Sequence, residues 1–139
     1  MLKRTSKAKD ELFIEAKIEN VTTVQEFISE RIKDCDVSIQ NSIGLVIDEI
    51  FSNISNYAYN PTAGNALIRI KVRKNDITLE FEDSGKPFNP LERDDPNTLL
   101  ELDEMDIGGL GIFLVKDTMD SVEYRHEKNK NILTIRKNL

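Results

Sequence analysis

With 139 residues, 39% of them hydrophobic and 32% charged, the chain has the make-up of one globular domain over 1–139, not of a disordered polymer. A formal net charge of −6 excludes general nucleic-acid binding, which needs basic groups to displace counterions from phosphates. One cysteine and one histidine exclude an internal disulfide and a conventional structural zinc site within the chain.

The basic stretch Met1–Lys7 is followed by no apolar run, so the expectation is no signal peptide, no membrane span and a cytoplasmic protein. Leu12, Ile14, Ala16 and Ile18 alternate with Phe13, Glu15 and Lys17, the period of a strand with one buried face. Thr22 or Thr23 is then placed to cap a helix from Val24 to about Lys33, with Val24, Phe27, Ile28 and Ile32 on one side. Cys35 lies between Asp34 and Asp36, whose charges raise a thiol pKa, so it reads as a small packing residue and not a nucleophile. A second helix starts at Asp36 or Ser38 and runs to about Tyr59, where Asn60-Pro61 stops it. Its apolar stripe is Ile39, Ile43, Val46, Ile47, Ile50, Ile54 and Tyr57. Glu49 and Asn53 share one edge of that stripe, with Asn56 further out.

After the loop 61–65, alternation over 66–73 and again over 77–82 predicts a hairpin. Asp83–Pro90 is turn-forming, and residues 89–107 predict a long lid loop. Gly108-Gly109-Leu110-Gly111 then opens a helix from Ile112 to Asp120, and a last hairpin turns near Asn129. This order predicts an α+β fold: a two-layer sandwich with a mixed, mostly antiparallel sheet and three helices on one face.

Three clusters carry chemistry. Glu49 and Asn53, one helical turn apart, offer oxygens suited to a hard cation such as Mg²⁺, or a base beside a metal ligand. Asp83-Ser84-Gly85 ends a strand with a carboxylate that can accept from an amino group, beside a glycine that admits a flat ring. Gly108–Gly111 offers backbone N–H groups at a helix start, an anion site for phosphates. Each alone also fits a plain role: a solvated helix edge, a turn, a hinge. Together they supply a metal group, a base-recognition group and a phosphate cradle.

The stretches Leu45–Ile54, Phe81–Phe88 and Gly108–Ile112 resemble the asparagine box and the two glycine boxes of the GHKL ATPase superfamily. Asp-x-Gly-x-Pro-Phe at 83–88, Gly-Gly-Leu-Gly-Ile at 108–112 and Met119-Asp120 are similar to the anti-sigma-factor serine/threonine-protein kinases within it. The resemblance covers about Phe13 to Ile135 and implies a Bergerat-type ATP-binding fold. It implies ATP and Mg²⁺ as cofactors, Glu49 as general base and Asn53 as the Mg²⁺ ligand. Asp83 would receive the adenine amino group, with Gly85, Pro87 and Phe88 beside it. Gly108, Gly109, Leu110 and Gly111 would hold phosphates through backbone N–H groups. Kinases of this kind phosphorylate a serine of an anti-sigma-factor antagonist and bind a sigma factor, and a homodimer is common among them.

One departure separates two readings. Residues 92–106 carry seven carboxylates, and Arg93 and Lys116 are the local candidates for a cation on a γ-phosphate. The chain therefore reads either as a kinase or as a non-catalytic ATP-binding switch that grips a protein partner.

Overall fold

Alternating burial decides how the strands stack. In the computed structural model, which describes residues 5–7, 10–58, 64–87, 89–92 and 107–139, Glu11–Glu15 (β2) buries Leu12 and Ile14. Asn65–Val72 (β3) buries Ala66, Ile68 and Ile70, and Asp76–Asp83 (β4) buries Ile77, Leu79 and Phe81. Lys130–Asn138 (β6) adds Leu133 and Ile135, and Ser121–Glu127 (β5) lays the half-buried Val122 and Tyr124 beside them. These side chains align in cross-strand rows, such as Leu12–Ile68–Phe81–Leu133–Tyr124.

A short strand, Thr5–Lys7 (β1), pairs with β2 and completes a six-stranded sheet ordered β1-β2-β3-β4-β6-β5. Three residues are too few to show a period, so no pattern in the chain announces it. Every ladder among the described residues is antiparallel. The reason is chain direction: hairpins join β3 to β4 and β5 to β6, and two helices separate β2 from β3. The β5–β6 hairpin turns on Lys128 and Asn129, at φ 53° and 62°, the two left-handed residues of a type I′ turn.

Val21–Arg31 (α1) starts after a 3₁₀ turn over Ile18–Asn20. Asn20, not Thr22 or Thr23, occupies the cap position, because that turn brings the chain into the helix earlier than periodicity indicates. Val37–Asn53 (α2) begins after Asp36 and buries Ile43, Val46, Ile47, Ile50 and Phe51. It does not continue as a regular α-helix: Ile54–Ala58 forms a π-helical turn, in which Ser55 Oγ donates to the Phe51 carbonyl at 2.9 Å.

The third helix, Ile107–Thr118 (α3), starts five residues before the expected Ile112. Glycine lowers helix propensity by about 1 kcal/mol relative to alanine, which is why the run 108–111 read as a loop. Burial of Ile112, Val115 and Met119 in the common core outweighs that cost. At its far end, Lys137 Nζ donates to the Thr118 carbonyl at 3.0 Å, and the Asp120 N–H donates to the Arg136 carbonyl at 3.0 Å.

All three helices share one apolar core with the inner face of the sheet. The other face is polar at its centre, where Arg69 pairs with Glu80 at 2.8 Å and Lys130 with Glu82 at 3.1 Å. Among the described residues no helix is long and apolar enough to cross a membrane.

Candidate functional site

The inner face of the sheet changes character at one end of β4. The row beyond Phe81 holds Asp83, which is opposite Ala66 on β3 and Asn131 on β6. Over this row opens a cleft. Ile50, Ile54, Phe81 and Leu133 give it apolar walls, and Asn53, Asp83, Tyr124 and Asn131 give it polar groups. A mostly apolar cleft with a few convergent polar groups is the usual form of a small-molecule site.

Asp83 is only 7% exposed, yet it takes no ion pair among the described residues. Its Oδ1 accepts two hydrogen bonds, from the Gly85 N–H at 2.9 Å and from Asn131 Nδ2 at 2.9 Å. Both fall on one oxygen, and among the described residues no donor reaches Oδ2, which can accept from a further group. Burial raises the Asp83 carboxyl above the usual range, and the two hydrogen bonds oppose that shift. Asn131 is 6% exposed and also donates to the Lys86 carbonyl at 2.8 Å, while its Oδ1 accepts from the Tyr124 hydroxyl. The carboxamide thus fixes both the carboxylate and the turn 83–86 that follows it.

The opposite wall comes from α2. Asn53 is its last α-helical residue, half-buried at the junction with the π turn. Glu49, one turn earlier, is half-buried, and burial followed by the charge of Asp48 raises its carboxyl above the usual range. The Glu49 side chain lies against α3 at Gly111: a Cβ there would overlap Oε2 and stand 2.6 Å from Cδ. The glycine helix and the Glu49–Asn53 edge are therefore neighbours, although about 60 residues of sequence separate them. A helix beginning at Ile107 leaves the N–H groups of Gly108 and Gly109 without intrahelical partners, whereas those of Leu110 and Gly111 turn back to the preceding turn.

A family model for the histidine kinase-like ATPase domain matches residues 14–137. The chain belongs to this family. Serine/threonine-protein kinase BtrW of Bordetella bronchiseptica is 25% identical to it over 95 residues, which cover 68% of this chain and 67% of that protein. As a histidine kinase-like ATPase domain, the protein binds ATP.

Within this ATPase domain, one cleft brings Asn53 and Asp83 together, whereas Glu49 and Gly111 meet each other between α2 and α3 and are not among the described residues that line it. Gly85 is joined to Asp83 by its N–H, and Pro87 is exposed just beyond. Phe88 and the lid residues 93–106 lie outside the described residues, as does Arg93. Pro90–Glu92, at the start of the expected lid, is a short 3₁₀ turn whose Pro90 lines the cleft. Cys35 is half-buried against the core, and burial with Asp34 and Asp36 pushes its thiol up.

Sequence reasoning passed over Asn131, Tyr124 and Lys86, all of which line the cleft. A polar residue at 131, in phase with Leu133 and Ile135 on the buried face, was a readable signal for the first of them.

Among the described residues no group of three His, Cys, Asp or Glu gathers to hold a metal. The donor set that does exist, Asn53 with Glu49 one turn away, fits Mg²⁺, which commonly takes one or two protein oxygens and completes its shell with phosphates and water.

Proposed function

We propose that the protein is a Mg-ATP-dependent serine/threonine-protein kinase of the anti-sigma-factor type, acting on a small antagonist protein and binding a sigma factor. The observation that carries the reading is the cleft itself. Its lining joins Asn53 to a buried carboxylate, Asp83, whose Oδ2 takes no hydrogen bond among the described residues, and Glu49 lies one helical turn from Asn53. Likeness to a protein named as a serine/threonine-protein kinase supports it further.

In this reading Asp83 Oδ2 accepts from the adenine amino group, and the apolar walls Ile50, Ile54 and Phe81 cover the ring. The phosphates extend toward Asn53 and the first-turn N–H groups of α3. Asn53 would hold Mg²⁺, which would supply charge neutralisation to the phosphates. Glu49 accepts the proton of the partner's serine hydroxyl; the serine oxygen bonds to the γ-phosphorus as the bond to the β,γ-bridging oxygen breaks, leaving ADP and phosphoserine. A carboxyl raised by burial is suited to hold that proton.

The test is incubation with Mg²⁺, γ-labelled ATP and an anti-sigma-factor antagonist protein. Label on a serine of the antagonist is the expected result. An unlabelled antagonist with nucleotide retained on the chain overturns the kinase reading. That result favours the second one, an ATP-binding switch, to which the seven carboxylates of residues 92–106 lend weight.

A further inference from the structure

Position 111 has a property that phosphate binding does not require. The N–H of Gly111 points into its own helix, so an alanine there would present the same backbone group. What alanine adds is a methyl, and its place is taken by Glu49: Oε2 overlaps the Cβ position, with Cδ 2.6 Å and Cγ 3.3 Å from it. Gly111 is itself buried, so the Glu49 side chain lies between α2 and the second turn of α3.

We propose that Gly111 is a positioning residue: the missing side chain at this point of α3 is the seat of the Glu49 carboxylate and fixes where that carboxylate points. This rests on the reading of Glu49 as the base. A side chain with three rotatable bonds is aimed only if something limits it, and here the limit is contact with a helix backbone. The colliding atoms are the far end of a flexible side chain. Glu49 can therefore swing away from an added methyl while both helices stay where they are. Substitution at 111 is expected to displace the base and leave the fold standing. It also follows that the aim of Glu49 depends on where α3 sits, since α3 carries the seat.

The experiment is Gly111→Ala, read in three ways. Mg-ATP affinity by calorimetry is expected to stay within a fewfold of the parent, while phosphoryl transfer falls roughly tenfold to a hundredfold, the scale of a misplaced catalytic group. In a Glu49→Ala background, which removes every side-chain atom within reach of the added methyl, Gly111→Ala is expected to cost nothing further. The side-chain carboxyl resonance of Glu49, in protein carrying ¹³C-glutamate, is expected to move in Gly111→Ala with only local changes in the amide spectrum.

An equal loss in both backgrounds, or a loss of ATP affinity as large as the loss of transfer, overturns the proposal. If the parent transfers no phosphate, the kinase reading fails alone, and the carboxyl resonance still decides: an unmoved Glu49 signal removes the seat. Should Gly111→Ala fold poorly, Glu49→Ala in the same chain is expected to restore it by vacating the space, and failure to restore it counts against the proposal.

Discussion

Asn131 holds Asp83 across the β4–β6 ladder, its Nδ2 donating to Oδ1 at 2.9 Å from the position directly opposite. Both residues are buried. The carboxamide donates to the carboxylate and to the Lys86 carbonyl, and accepts from Tyr124. The carboxylate at the base of the cleft is therefore oriented by a residue 48 positions away.

Replacing Asn131 with alanine removes a donor shared by Asp83 and the turn after it. Stability is expected to fall by about 1–3 kcal/mol, the cost of leaving buried polar groups without their partner. ATP affinity should fall with it, because Asp83 is then free to rotate. Urea denaturation and calorimetry check the two effects. Asn131→Asp, which sets a second carboxylate beside the first, is expected to lose more affinity at neutral pH than Asn131→Ala.

Asp83→Asn is expected to fold and to lose ATP binding roughly tenfold to a hundredfold, the worth of a hydrogen bond to a charged group. Its stability should differ from the parent in a pH-dependent way. The folded pKa of Asp83 is raised, so the native state holds the proton more tightly than the unfolded chain does. The stabilisation that protonated Asp83 brings is fully present below the unfolded pKa and is lost as pH rises through the folded pKa. Asp83→Asn therefore gains on the parent as pH rises through that window. Urea titrations of both proteins from acid to neutral pH measure the difference, and parallel curves would count against the burial argument.

Asn53→Ala removes the one cleft-lining side chain of α2 able to bind a metal. The parent is expected to bind ATP more weakly once Mg²⁺ is chelated, and Asn53→Ala to bind it with the same weakened affinity whether or not Mg²⁺ is present. Calorimetry with and without a chelator checks this. An undiminished response to Mg²⁺ in the variant would move the metal site elsewhere.

Cys35 should behave as a packing residue. Burial and the carboxylates of Asp34 and Asp36 raise its pKa, so alkylation by iodoacetamide is expected to be slow at neutral pH. The rate should go on rising past the pH at which an ordinary thiol levels off. Cys35→Ser is expected to leave ATP affinity unchanged.

Several parts of the fold were legible because they repeat locally. The burial of Leu12 and Ile14, of Ile68 and Ile70, and of Val24, Phe27 and Ile28 follows from periods of two and of about three and a half. The three site clusters were legible because Glu49-x-x-x-Asn53, Asp83-x-Gly85 and the glycines of 108–111 are each contiguous in sequence.

What the sequence by itself determined, then, is the set of elements, their buried faces and the residue types available for nucleotide chemistry. All of these are properties of neighbours along the chain. The tertiary structure alone decided the rest. The short strand β1 exists because β2 offers it an edge, and the helix at 107 forms through its glycines because the core takes up Ile112 and Val115. Asn131 reaches Asp83, and Gly111 makes room for Glu49, because the sheet order and the packing of α3 on α2 bring distant positions into contact. Contacts of that kind leave no local period in a sequence, since the energy that selects them comes from surfaces meeting only once the chain has folded.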